Sequence, residues 1–190
     1  MASGTRKVGD FCWMNMITPQ PDAARAFFGA LLGWTYDEMP GMGHSVLVDG
    51  HAIGGLFDLN GPQTPPGQKP GIGVMVKVDN VDATCARAKE LGGRSTMAFD
   101  VMDQGRVGVC YDPDGANVDL WQPMAGHGMD VDAMAHGAPS WFEVMTDDVA
   151  RGAAFYGALF GWKAESMDME GTPYTTFKLG DAYVAGMMAR

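Results

Sequence analysis

A chain of 190 residues with 46% hydrophobic and 19% charged residues has the composition of a folded globular protein and excludes a disordered tail. Its net charge of −10 and isoelectric point of about 4.6 disfavour nucleic acid and anionic membrane surfaces as partners. Three cysteines at wide spacing, Cys12, Cys85 and Cys110, with no CxxC pair, argue against a disulfide framework or a zinc ribbon and for buried thiols.

Residues 1–10 carry no apolar run of the signal-peptide kind, and no later stretch is long and uncharged enough to cross a bilayer, so a cytoplasmic location is expected. The first element, FCWMNMIT, reads as a strand. PDAARAFFGALLG reads as a helix with Ala24, Phe27, Phe28 and Leu31 on one apolar face, Pro21 in its first turn and Gly33 at its stop. Short strands follow in WTYDEM, HSVLVD and AIGGLFD, with a hairpin turn at Asp49-Gly50 flanked by His44 and His51. NGPQTPPGQKPG at 60–71 is a connector.

GIGVMVKV is the next strand. NVDATCARAKELGG is a helix capped near Asn80 or Asp82 and ended by Gly92-Gly93. STMAFDV, RVGVCYD and ANVDLWQP are strands, the last preceded by a DPDG turn at 112–115. The Gly/Ala/Met-rich stretch 123–139 reads as a linker without fixed geometry, and His127, Asp130, Asp132 and His136 inside it read as linker residues instead of a metal cluster. A third strand–helix pair then runs through WFEVMTDDVARGAAFYGALFG, with Asp147 or Asp148 as N-cap, followed by more short strands.

The chain repeats itself. FFGALLGW at 27–34 returns as FYGALFGW at 155–162, and with Trp13 laid on Trp141 the two stretches register without a gap. Three βαβββ units result, roughly 11–60, 71–123 and 139–189. The expected organisation is a complete two-module domain at 11–123, a linker at 124–138, and a third module at 139–190 that is half of a second domain. The chain ends where a fourth unit is expected to begin.

Paired βαβββ units, the DPDG turn before a final strand and the FYGALFGW helix end resemble the vicinal-oxygen-chelate superfamily of glyoxalases, bleomycin-resistance proteins and extradiol dioxygenases. The likeness runs over about 11–189 and is nearest to two-domain glyoxalase-like proteins. It implies an α+β fold whose paired modules form cupped mixed sheets with helices on the outer face. It also implies metal ligands, where a metal is used, on the first strand (His) and last strand (Glu) of each module. Carried over, the first-strand positions are Trp13, Gly73 and Trp141. The last-strand positions are Gly54 or Gly55, Asp119 and Gly186. Only Asp119 keeps a ligand-type side chain, and one carboxylate does not hold a divalent metal. No metal ligand set and no cofactor are therefore expected, a divalent metal being the open alternative.

Strand alternation places Trp13 and Asn15, Met75, Asn117, Asp119 and Trp121, and Trp141 and Glu143 on the cup side. These eight residues are the candidate ligand-binding set, an apolar and aromatic wall with few polar groups. Asp119 and Glu143 are the candidate catalytic groups. Trp13 and Trp141 read equally as plugs in the metal's place and as stacking walls; Asp119 reads as a general base or as a satisfied strand residue. Three functions stay open. The first is a metal-free protein binding a small, partly aromatic molecule. The second is an enzyme of the superfamily, either a lyase or dioxygenase with unusual metal ligands or a metal-free acid–base catalyst. The third is a structural or oligomeric role. A homodimer through 139–190 is expected.

Overall fold

The protein is described by a computed structural model covering residues 6–62, 64–129, 131 and 133–190. Asp130 and Asp132 of the acidic and histidine-bearing stretch lie outside the described residues. The fold is mixed α+β, as expected. Its elements run β1 (Phe11–Thr18), α1 (Pro21–Leu32), β2 (Thr35–Met39), β3 (Gly43–Val48), β4 (His51–Asp58), β5 (Gly71–Lys77), α2 (Val81–Glu90), β6 (Arg94–Val101), β7 (Gly105–Tyr111), β8 (Asp119–Pro123), β9 (Glu143–Thr146), α3 (Val149–Phe160), β10 (Lys163–Met169), β11 (Thr172–Leu179) and β12 (Ala182–Ala189).

One topology occurs three times. The first strand of each module pairs parallel with the last, β1 with β4, β5 with β8 and β9 with β12, and the remaining pairs within each module are antiparallel. The helix is the crossover that a parallel first-to-last pairing requires. Each helix begins and ends where its sequence chemistry says. Pro21 opens α1 and Gly33 closes it in the left-handed region at φ 71°, with Gly161 doing the same for α3 at φ 72°. The Asn80 and Asp148 side chains accept the backbone N–H of Ala83 and Arg151.

The described chain forms two compact units. The first is built on Cys12–Val74 and His127–Ser140. Its core gathers Met14, Met16, Val46, Ile53 and Leu56 from the sheet and Phe28 and Leu32 from α1. Met129 and Val131 belong to the same core, at 1% and 6% exposure. Met129 and Val131, in the stretch read as a linker without fixed geometry, are thus packed. Met129 N–H donates to Cys12 O, and the Trp34 indole N–H donates to Gly137 O at 2.8 Å. The helix face also differs from expectation. Ala24, Phe28 and Leu32 face the core, while Phe27 and Leu31 stand 59% and 57% exposed.

The second unit is built on Lys7–Phe11, Met75–Gly126 and Trp141–Arg190. Here the repeat-equivalent Phe155 is only 2% exposed, and its ring lies over Gly93 just beyond α2. Phe155, Tyr156, Phe160, Trp162 and Phe177 form an aromatic cluster joined by Phe11, which stacks on Phe142 at 4.1 Å. The Trp162 indole N–H donates to Gly9 O at 2.8 Å. The DPDG turn does more than reverse the chain. Buried Asp112 accepts from Tyr156 Oη at 2.9 Å, and Asp114 accepts from Thr146, Arg151 and the backbone N–H of Asp147. The turn is therefore clasped against the start of α3. Among the described residues no helix is long and apolar enough to cross a membrane.

Candidate functional site

In the first unit, Trp13 and Asn15 project from β1 on the face opposite buried Met14 and Met16. The Trp13 indole N–H donates to Asn15 Oδ1 at 3.0 Å. Gly55 stands opposite Asn15 in the ladder, and a Cβ on it would lie 2.5 Å from the Phe57 ring and 3.1 Å from Asn15 Oδ1. A Cβ on Gly54 would instead run into the Met14 backbone. Of the two glycines left open by the sequence, Gly55 is the one on the Asn15 side, and the Phe57 ring fills the space beside it. Further along the same face, Ile17 and Phe57 line a hollow of about 90 Å³ closed by Met42, Pro62 and Pro65.

In the second unit, β8 starts at Asp119, directly opposite Met75 of β5. Asn117 precedes the strand, held by an isolated bridge to Tyr111. Its amide Nδ2 donates both to Cys110 O at 3.0 Å and to Asp119 Oδ1 at 2.9 Å. Burial pushes the Asp119 carboxyl up to about 6, against the pull of the Asn117 amide and a backbone bond from Cys110. Trp121 is 9% exposed, its ring lies over Gly105, and its buried indole N–H has no partner among the described residues. Met97 and Phe99 on β6 share this face through their ladder partners Val109 and Val107 and remain 46% and 44% exposed. Met75 is thus the cross-strand neighbour of Asp119, Asn117 bonds to Asp119, and Trp121 lies two residues further along β8 on the same face.

On the third module, Glu143 of β9 stands opposite Gly186 of β12. The space a Gly186 side chain would take is filled by the Tyr174 hydroxyl. That hydroxyl donates to Glu143 Oε1 and accepts the Trp141 indole N–H at 3.0 Å. Burial, then the bond to Glu143, holds the Tyr174 phenol above its ordinary range. Tyr174 was not among the sequence candidates. The glycine at 186 was the available signal, since a vacated strand position must be filled by a neighbour. Met145 and Tyr183 of this module remain 44% and 52% exposed.

The carried-over ligand positions therefore hold Trp13, Gly55, Gly73, Asp119, Trp141 and Gly186, with an aromatic side chain beside the two last-strand glycines, Gly55 and Gly186. Among the described residues no three His, Cys, Asp or Glu side chains converge in a way that could hold a metal. This donor set does not fit a divalent metal.

Comparison with known proteins adds three findings. Residues 11–120 match the family model described as glyoxalase/bleomycin resistance protein/dioxygenase superfamily, and 140–180 match one described as bleomycin resistance protein-like N-terminal. Among curated proteins, the chain is 34% identical over 183 residues to CFP32 of Mycobacterium tuberculosis, named as a candidate glyoxylase, covering 93% of this chain and 69% of that one. It is 26% identical over 189 residues to the anthracycline biosynthesis protein DauV of Streptomyces sp. (strain C5), covering 92% and 68%. Among solved structures, the Mn(II)-bound glyoxalase from Novosphingobium aromaticivorans superposes with a TM-score of 0.69 at 14% identity, over 97% of this chain and 62% of that one. A substrate complex of homoprotocatechuate 2,3-dioxygenase from Brevibacterium fuscum gives 0.68 at 16%, over 95% and 60%. At these identities the structural likeness is one of fold, and the chain spans less than two thirds of the length of either solved chain.

Proposed function

The chain belongs to the glyoxalase/bleomycin resistance protein/dioxygenase superfamily, and from that premise we propose that it binds a small, partly aromatic molecule without the metal centre used by other members. The observation that carries this reading is the filling of the two last-strand glycine positions by aromatic side chains, Phe57 beside Gly55 and Tyr174 beside Gly186. The apolar, methionine-bearing face around Asp119 supports it, because such a wall with one or two polar groups suits a flat organic ligand. The likeness to a protein named for anthracycline biosynthesis makes polycyclic aromatic compounds the first class to test.

The test is twofold. Metal content of the purified protein is measured before and after chelation, and tryptophan fluorescence is followed during titration with a panel of polycyclic and monocyclic aromatics. Saturable quenching with no stoichiometric metal is the expected result. One tightly held metal per chain, or no binding across the panel, overturns the proposal.

A second reading rests on Asp119. A half-buried carboxyl raised to about 6 is suited to taking or giving a proton near neutrality, in the manner of a metal-free acid–base catalyst. Turnover of a bound carbonyl compound that is lost in Asp119→Asn supports it; binding without turnover removes it. The homodimer through 139–190 is part of the proposal as well. Among the described residues β9 ends its sheet, with Trp141 and Met145 open beside it. Light scattering is expected to give a dimer, and a monomer removes that part.

A further inference from the structure

Cys85 lies on α2 and Cys110 on β7, with their sulfurs 3.6 Å apart. Neither is in a disulfide, and they are 7% and 0% exposed. The approach depends on Gly108, which shares the helix-facing side of β7 with Cys110. A Cβ there would stand 2.8 Å from Cys85 Sγ. A disulfide needs sulfurs about 2.05 Å apart, so about 1.5 Å of side-chain movement separates the present pair from a bond.

The same strand residue serves the candidate site. The Cys110 carbonyl accepts from the Asn117 amide and from the Val118 backbone N–H, each at 3.0 Å, and a Cys110 backbone bond reaches the Asp119 carboxyl. Cys110 thus has its side chain behind the sheet and its backbone bonded to the polar pair in front of it.

We propose that Cys85 and Cys110 are a thiol oxidation site, closed by peroxide into a disulfide that ties α2 to β7 directly behind Asp119. The chemistry balances with one peroxide. The Cys85 thiolate attacks a peroxide oxygen, the O–O bond breaks, and sulfenic acid and hydroxide result. The Cys110 thiol then attacks the sulfenic sulfur, forming the S–S bond and expelling the oxygen as hydroxide. The two thiol protons convert both hydroxides to water, and the thiols' two electrons reduce the peroxide. The roles follow from the pair itself. The two sulfurs share one hydrogen bond; with Cys110 as its donor, Cys85 is held below the ordinary thiol range, while that same bond and burial hold Cys110 above it. Cys85 is also the more accessible of the two.

The experiment treats the folded chain of 190 residues with hydrogen peroxide, counts thiols in denaturant, and maps disulfides by mass spectrometry of a non-reduced digest. The expected result is a fall from three thiols to one, with Cys85 and Cys110 in one linked peptide. In Cys110→Ser, where the second step has no thiol, dimedone is expected to trap Cys85 as its sulfenic acid. A count that stays at three, a bond involving Cys12 or a second chain, or a Cys110→Ser variant without a dimedone adduct at Cys85 overturns the proposal.

Discussion

The phenol oxygen of Tyr174 occupies the point into which a side chain on Gly186 would begin, and its ring carbon Cζ lies 2.6 Å from that point. The two residues are therefore one packing decision. Gly186→Ala is expected to destabilise the protein by about 1–3 kcal/mol, since overpacking forces ring and backbone apart. Tyr174→Ala combined with Gly186→Ala is expected to cost less than the sum of the two single changes. Urea denaturation of the four proteins checks this, and an additive result would show that the hydroxyl does not stand where the alanine goes.

Phe27 and Phe155 occupy the same place in two copies of one phrase, yet one is 59% and the other 2% exposed. Phe155→Ala is expected to cost about 3–5 kcal/mol. Phe27→Ala is expected to stay within about 0.5 kcal/mol, as exposed positions do. Equal losses, read from denaturation midpoints, would mean that Phe27 is covered in solution.

Asp119 gives a pH dependence with a definite sign. Its carboxyl is raised from an ordinary 3.8 to about 6 by burial, so the folded chain holds the proton more tightly than the unfolded one. The stability this supplies is complete below about pH 4, is lost as pH rises towards about 6, and amounts to on the order of 2–3 kcal/mol. Asp119→Asn cannot ionise and is expected to lose that slope. Denaturation at pH 4.5 and 7.5 should show the variant gaining on the parent at the higher pH; a difference independent of pH would contradict the raised carboxyl.

Met129 tests the packed connector. At 1% exposure within the first unit's core, Met129→Ala is expected to cost about 2–5 kcal/mol. A stretch without fixed geometry would tolerate the change with no shift in the melting midpoint.

Much of this was legible in the sequence because it is periodic or local. Gly33 and Gly161, Asn80 and Asp148 cap their helices through contacts a few residues long, and a turn such as Asp49-Gly50 carries its conformation in its own residues, with φ at 49° and 80°. The alternation that placed Asp119 and Trp121 on one face is equally local. What escaped depends on distant neighbours. Phe27 and Phe155 read alike because the difference lies in Gly93 and α2, not in the helices themselves. Met129 was indistinguishable from a linker residue because the strand and helix it packs against are roughly 70–120 residues earlier. Tyr174 escaped because a plug is defined by the hole it fills, and Gly186 marks that hole only once the strands are paired.

The two tryptophan latches carry a consequence for how the chain reaches this state. Trp34 is held by Gly137, and Trp162 by Gly9, across sequence separations of 103 and 153 residues. Each unit thus borrows a segment from the far side of the other in sequence, and neither is a continuous stretch of polypeptide. Chain-closure entropy grows only slowly with separation, about 0.6 kcal/mol per doubling, so the native state tolerates the arrangement. The rate does not, because contacts this distant raise the contact order and form late. During synthesis the first unit stays open until residue 137 has emerged, and the second cannot close before Trp162. A cut at the connector would then release two fragments that each lack a piece of their own fold.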